Sequence, residues 1–170
     1  MNLRLPIAIL IAVAACAQTV APALRGETLD GRKTTLAEAG AGKTTLLVLG
    51  FSKKAGDVSN AWRDHFAADF GADSRANYFV VAFLEDAPGL VRGMIKSAMR
   101  SGTPQAQRPH FLVVTSDEAV WKKFVHVEDD KVPCVVLLDG AGKVRWAWNG
   151  EFEAAHYSAL KEAAAALLKP

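Results

Sequence analysis

The chain is 170 residues long, 51% hydrophobic and 22% charged, with a formal net charge of +2. That length accommodates one domain of ordinary size, and the balance excludes a disordered polar segment. So mild a charge, with no basic run interleaved with aromatics, gives no basis for a nucleic-acid partner.

The first element in chain order is a leader. Arg4 supplies a positive start, and Leu5 to Ala15 is almost wholly apolar, so residues 1–17 read as an export signal. The run is shorter than the roughly 20 apolar residues that span a bilayer. Two processing routes fit. Ala15-Cys16-Ala17 satisfies the small-x-small rule for signal cleavage and would leave Gln18 first. Val13-Ala14-Ala15-Cys16 resembles a bacterial lipobox, in which Cys16 is acylated and the signal ends before it. Either route places residues 18–170, a single domain, outside the cytoplasm: periplasmic, or anchored to the membrane only through Cys16. Thiols are normally oxidised there. Cys134 is then the one cysteine of the working domain, or one of two if Cys16 is kept as the anchor, and a lone thiol closes no intramolecular disulfide.

After the leader, Glu27 to Leu36 carries Asp30-Gly31, a turn between short extended pieces. Thr44 to Phe51 is a continuous apolar run, as expected of a strand buried on both faces. A polar loop, Ser52-Lys53-Lys54-Ala55-Gly56, leads to a predicted helix over 57–70, whose Val58, Trp62, Phe66 and Phe70 recur at spacing four. Tyr78 to Leu84 is the next strand. Pro88 opens a helix reaching about Met99, and a polar link with Pro104 and Pro109 follows. Phe111 to Val114 is a short strand. Ser116, with Asp117 and Glu118, caps a helix running to about Val127. Val132 to Asp139 and Lys143 to Trp148 form a hairpin around Gly140-Ala141-Gly142. Glu151 to Leu168 is the last helix. Strands separated by helices require parallel pairing, and the final hairpin requires antiparallel pairing. An α/β three-layer sandwich satisfies both, with a mixed central sheet and helices on its two faces.

This order resembles the thioredoxin-like superfold in its longer, peroxiredoxin-type form. Leu24-Arg25-Gly26-Glu27-Thr28-Leu29-Asp30-Gly31 is similar to the entry of redoxin domains, and Thr44 to Ser52 to the strand that delivers their catalytic loop. Val132-Pro133-Cys134 is similar to the segment holding the proline that is cis in that superfold, so the resemblance implies a cis Pro133. It also implies a nucleophilic cysteine in the loop or first turn after the strand. Here that stretch contains Ser52, Lys53, Lys54, Gly56 and Asp57 and no cysteine. A narrower resemblance is to the mitochondrial ATP-synthase assembly-factor family, whose thioredoxin-like domain lacks the catalytic cysteines. Trp62, Phe66 and the hairpin from Leu138 to Gly150, with Arg145-Trp146 at its centre, carry that likeness. It implies a binding role in place of catalysis.

The remaining motifs are weighed against plainer readings. Ala37 to Thr44 meets a relaxed phosphate-loop pattern, but its glycines precede a strand where a genuine loop opens a helix, so a turn is expected. Lys53 and Lys54 are either a small-anion site or a solvated loop. Cys134 is either a lone reactive thiol or a small core filler. The histidines show no metal-ligand spacing, and no cofactor is expected. Trp146 and Trp148 share one face of their strand and Arg145 the other. They pack under the last helix or, if exposed, form with Arg145 a protein-binding patch. The expected function is a non-catalytic, protein-binding or assembly factor of the envelope. The alternatives are a single-cysteine oxidoreductase or peroxidase using Cys134, and an anion binder at Lys53–Lys54.

Overall fold

The computed structural model describes Thr19 to Lys169, so the leader and the candidate lipidation site Cys16 lie outside the described residues. Seven strands form one sheet in the order β2-β1-β5-β4-β3-β6-β7. The strands are β1 (Arg25–Thr28), β2 (Lys33–Thr35), β3 (Thr44–Gly50), β4 (Ala76–Phe83), β5 (Phe111–Val114), β6 (Cys134–Leu138) and β7 (Val144–Asn149). β3, β4 and β5 run parallel, while β6 is antiparallel to both β3 and β7. All of β3, β5 and β6 is buried, which is why their sequences are unbroken apolar runs.

The helices are α1 (Leu36–Ala39), α2 (Lys53–Val58), α3 (Asn60–Phe70), α4 (Gly89–Gly102), α5 (Glu118–Phe124) and α6 (Ala154–Leu167). On one face, Leu46, Val48, Val135 and Leu137 meet Trp62 and Phe66 of α3 and Tyr157, Leu160 and Ala164 of α6. On the same side Val80, Phe111 and Val113 receive Met99 of α4. The opposite face packs Leu47, Leu49, Val81, Val136 and Leu138 against Trp121 of α5. Each large apolar side chain so buried contributes about 1.5–3 kcal/mol. The expected α/β sandwich with a mixed sheet and helices on both faces is the observed architecture.

Three local expectations need correction. The helix expected to start at Asp57 starts at Lys53, because Ser52 caps α2 by accepting from the Ala55 N–H at 3.2 Å; the helix then breaks at Ser59 before α3. The cap expected at Ser116 is displaced. Asp117 stands left-handed at φ 62° ahead of α5, and the Glu118 N–H donates to Glu85 Oε2 at 2.7 Å. Pro133 is trans, since no cis peptide bond occurs among the described residues. A trans bond carries the chain extended into β6, where the Pro133 carbonyl accepts from the Gly150 N–H at 3.0 Å, and it is the isomer X–Pro bonds prefer by about 0.5–1 kcal/mol.

Candidate functional site

Parallel strands leave their carboxyl ends at one pole of the sheet, where open α/β folds place their ligands. Here that pole gathers the chain after β3 (Phe51-Ser52), after β4 (Leu84-Glu85-Asp86) and after β5 (Thr115 to Glu118). The antiparallel β6 begins there, bringing Lys131-Val132-Pro133 to the same end. Residues more than seventy positions apart thus meet. The Ser52 hydroxyl donates to the Asp130 carbonyl at 2.7 Å while its oxygen caps α2.

The expected loop residues resolve into distinct settings. Ser52 is the N-cap of α2, and Ala55, three positions on, is buried beneath the first turn. Lys53 pairs with Asp57 at 3.3 Å on a fully solvated helix face, a pairing of about 0.3–0.5 kcal/mol. Lys54 and Gly56 are exposed beside it. Cys134 is not in this cluster. It pairs across the sheet with Leu49 and sits 1% exposed in the α5-side core. Burial pushes its thiol up to about 11, so about one molecule in ten thousand carries a thiolate at pH 7.

A second polar cluster at this pole has no linear signature. Lys122 of α5 binds the buried Glu118 carboxylate at 2.7 Å and lies 5.7 Å from the centre of the Phe51 ring. Its ammonium is held above the usual lysine range by the Glu118 hydrogen bond first, with Asp86 and Asp130 adding to the effect. Phe51 stacks on Phe83 at 4.6 Å, so aromatic rings floor the cluster. Only the (i, i+4) spacing of Glu118 and Lys122 is visible in sequence, and that spacing is common on helix surfaces.

The hairpin candidates are engaged within the protein. Trp146 leans on Trp62 at 5.9 Å and Trp148 stacks on His156 at 3.4 Å, both under α6. Arg145 projects on the other side and reaches Asp139 at 3.6 Å. The indole of Trp62 itself donates to the Gly150 carbonyl at 3.3 Å, tying α3 to the end of β7 at the polar end described above. Among the described residues no group of three or more His, Cys, Asp or Glu side chains is placed to hold a metal ion.

No protein-family model and no curated protein matches this chain. Solved structures do. The exposed lipoprotein thioredoxin Etrx1 of Streptococcus pneumoniae superposes with a TM-score of 0.57 at 16% identity, over 83% of this chain and 98% of its own. A candidate thiol:disulfide interchange protein DsbE from Chlorobium tepidum gives 0.57 at 22% identity, over 88% and 96%. A SCO1/SenC family lipoprotein from Bacillus anthracis gives 0.61 at 14% identity, over 90% and 97%. The fold is thioredoxin-like.

Proposed function

We propose that this chain is a thioredoxin-like protein of the cell envelope that performs no thiol chemistry and acts as a binding or assembly factor for another protein. One observation carries the reading. The helix start that would present a nucleophilic sulfur is built from Ser52 as N-cap and Ala55 in the first turn. A serine hydroxyl is a far weaker acid than a thiol and forms no disulfide. The sulfur that remains, Cys134, is buried and held protonated in the core. The leader over residues 1–17, and the lipoprotein names of the Streptococcus and Bacillus neighbours, support export, with Cys16 as the candidate anchor. The likeness of the Leu138 to Gly150 hairpin to the assembly-factor family supports binding over turnover.

The anion reading of Lys53–Lys54 gains nothing here, because Lys53 is engaged by Asp57 and α2 is a single short turn and a half. The test is turnover by the exported protein with a disulfide substrate, a hydroperoxide and reduced glutathione. Rates at the buffer background are expected. Turnover that disappears in Cys134→Ala would overturn the proposal in favour of a one-cysteine enzyme.

A further inference from the structure

Thr19 to Ala21 are fixed to the first residues of β7. Val20 bridges Lys143 in antiparallel fashion, the Val144 N–H donates to the Thr19 carbonyl at 3.0 Å, and the Ala21 N–H donates to the Gly142 carbonyl at 2.9 Å. Two bonds of a β ladder thus pin this stretch at the turn between β6 and β7. β6 runs antiparallel to β3, with Cys134 opposite Leu49 and Leu138 opposite Thr45, and Leu138 in turn faces Val144. The turn therefore lies at the end of the sheet remote from Ser52. A rise of about 3.3 Å per residue puts roughly 23 Å between Thr45 and Ser52 along β3 and the two residues after it.

Cys16 precedes Thr19 by three positions. An extended chain covers at most about 3.6 Å per residue, so Cys16 lies within roughly 11 Å of Thr19 whatever its path. That reach is less than half the span from Thr45 to Ser52. The end of the sheet beside Thr19 is also apolar. A cleft of about 360 Å³ opens there, lined by Val20, Pro22, Ala37, Ala41 and Ala141 among others, and Val20 is 58% exposed. Among the described lining residues only Asp139 is ionisable, and its carboxylate is engaged by the Ala141 and Lys143 N–H groups and by Arg145. The opposite pole exposes Lys53, Lys54, Asp57 and Asp130, and the β7 flank exposes Arg145 and Asn149. A short tether rooted at the apolar end brings that end, and not the charged ones, to the lipid it is attached to.

We propose that lipidated Cys16 seats the domain on the bilayer by this end, with Val20, Ala41 and Ala141 against the lipid and the pole of Ser52 and Lys122 turned to the aqueous phase. The inference rests on Cys16 as the anchor of the proposed envelope protein. It gives that protein a direction. The partner bound at the pole meets it through a water-exposed surface roughly 20 Å from the lipid, and a segment lying among the headgroups is out of reach.

The test uses the full chain expressed with its leader in a bacterial host, and the anchor is scored first. The membrane-fraction protein should weigh as a chain acylated at Cys16, and Cys16→Ser should leave the membranes. A soluble chain beginning at Gln18 would overturn the anchor and the seating with it, while leaving the thiol-free binding role standing. Orientation is scored separately. Lipidated protein carrying Ala141→Cys, Ala147→Cys or Lys54→Cys, each at unchanged melting temperature, is labelled with a fluorophore and reconstituted into vesicles containing spin-labelled lipid. Cys134 is buried and escapes the label in the folded domain. The label on Ala141→Cys is expected to lose most of its emission, that on Lys54→Cys almost none, and that on Ala147→Cys an intermediate share. Inserting about twelve Gly/Ser residues after Gln18 adds a flexible reach of roughly 20 Å and should cut the quenching at position 141 severalfold. Equal quenching at the three sites, strongest quenching at Ala147→Cys or Lys54→Cys, or quenching at position 141 that ignores the insertion would each overturn the proposal.

Discussion

At the scale of single residues, polar atoms are tied down at the edges of the apolar layers. The Tyr157 hydroxyl donates to Asp69 at 2.6 Å, and Lys161 reaches the same carboxylate at 2.8 Å. Lys161 first and Tyr157 second hold the Asp69 carboxyl below its usual range, so its folded value lies under the unfolded value of about 3.9. Its stabilising contribution is accordingly present above about pH 4 and is lost as pH falls through the folded value. Tyr157→Phe is predicted to cost about 1 kcal/mol in urea denaturation at pH 7. Asp69→Asn should lower stability at pH 7 and lose less of it on acidification than the wild type. An unchanged pH profile in that variant would assign the acid sensitivity elsewhere. The tyrosine and aspartate are 88 positions apart, so no local spacing reveals this contact.

At the scale of elements, the strands were legible and the helix starts were not. Thr44 to Gly50 and Cys134 to Leu138 are buried on both faces, and a central strand covered by helices on both sides, whichever way it runs, has no choice but a largely apolar sequence. The Trp62–Phe66 stripe was equally plain, since both are fully buried at helical spacing. α2 was missed because Lys53-Lys54-Ala55-Gly56 has no apolar periodicity; a single serine oxygen and the Asp130 carbonyl define it instead. The start of α5 is displaced from the Ser116 cap for a related reason: Glu85, from the loop after β4, accepts from the Glu118 N–H. That clamp gives a prediction. Lys122→Met leaves the buried Glu118 carboxylate without its cation and should cost about 1–3 kcal/mol, read as a lower denaturation midpoint. Glu118→Gln in the same background should recover part of the loss, and a double variant as unstable as the single would contradict this role for the pair.

At the scale of the whole molecule, the sequence conveyed the scaffold more fully than the task. Element order and the hairpin around Gly142 were enough to identify a mixed sheet of thioredoxin-like type, because chain connectivity admits few alternatives. The pole where β3, β4, β5 and β6 converge was only half legible. Ser52 could be placed there from the strand before it, whereas Glu85, Glu118 and Lys122 arrive from separate segments. The trans Pro133 and the uncovered face of α4 had no sequence signature distinct from those of an ordinary redoxin and an ordinary amphipathic helix. What unifies the account is the location of the thiol: among the described residues no cysteine lies in the loops of the pole, and Cys134, at the start of β6, is sealed into the α5-side core beneath them.

That claim is open to direct measurement by incubating the folded protein with oxidised glutathione or hydrogen peroxide at pH 7 and weighing the intact chain. The account predicts that Cys134 stays unmodified for as long as the domain stays folded and acquires an adduct only when denaturant is added. Prompt, stoichiometric glutathionylation or sulfenic acid formation at Cys134 in the folded protein would contradict it.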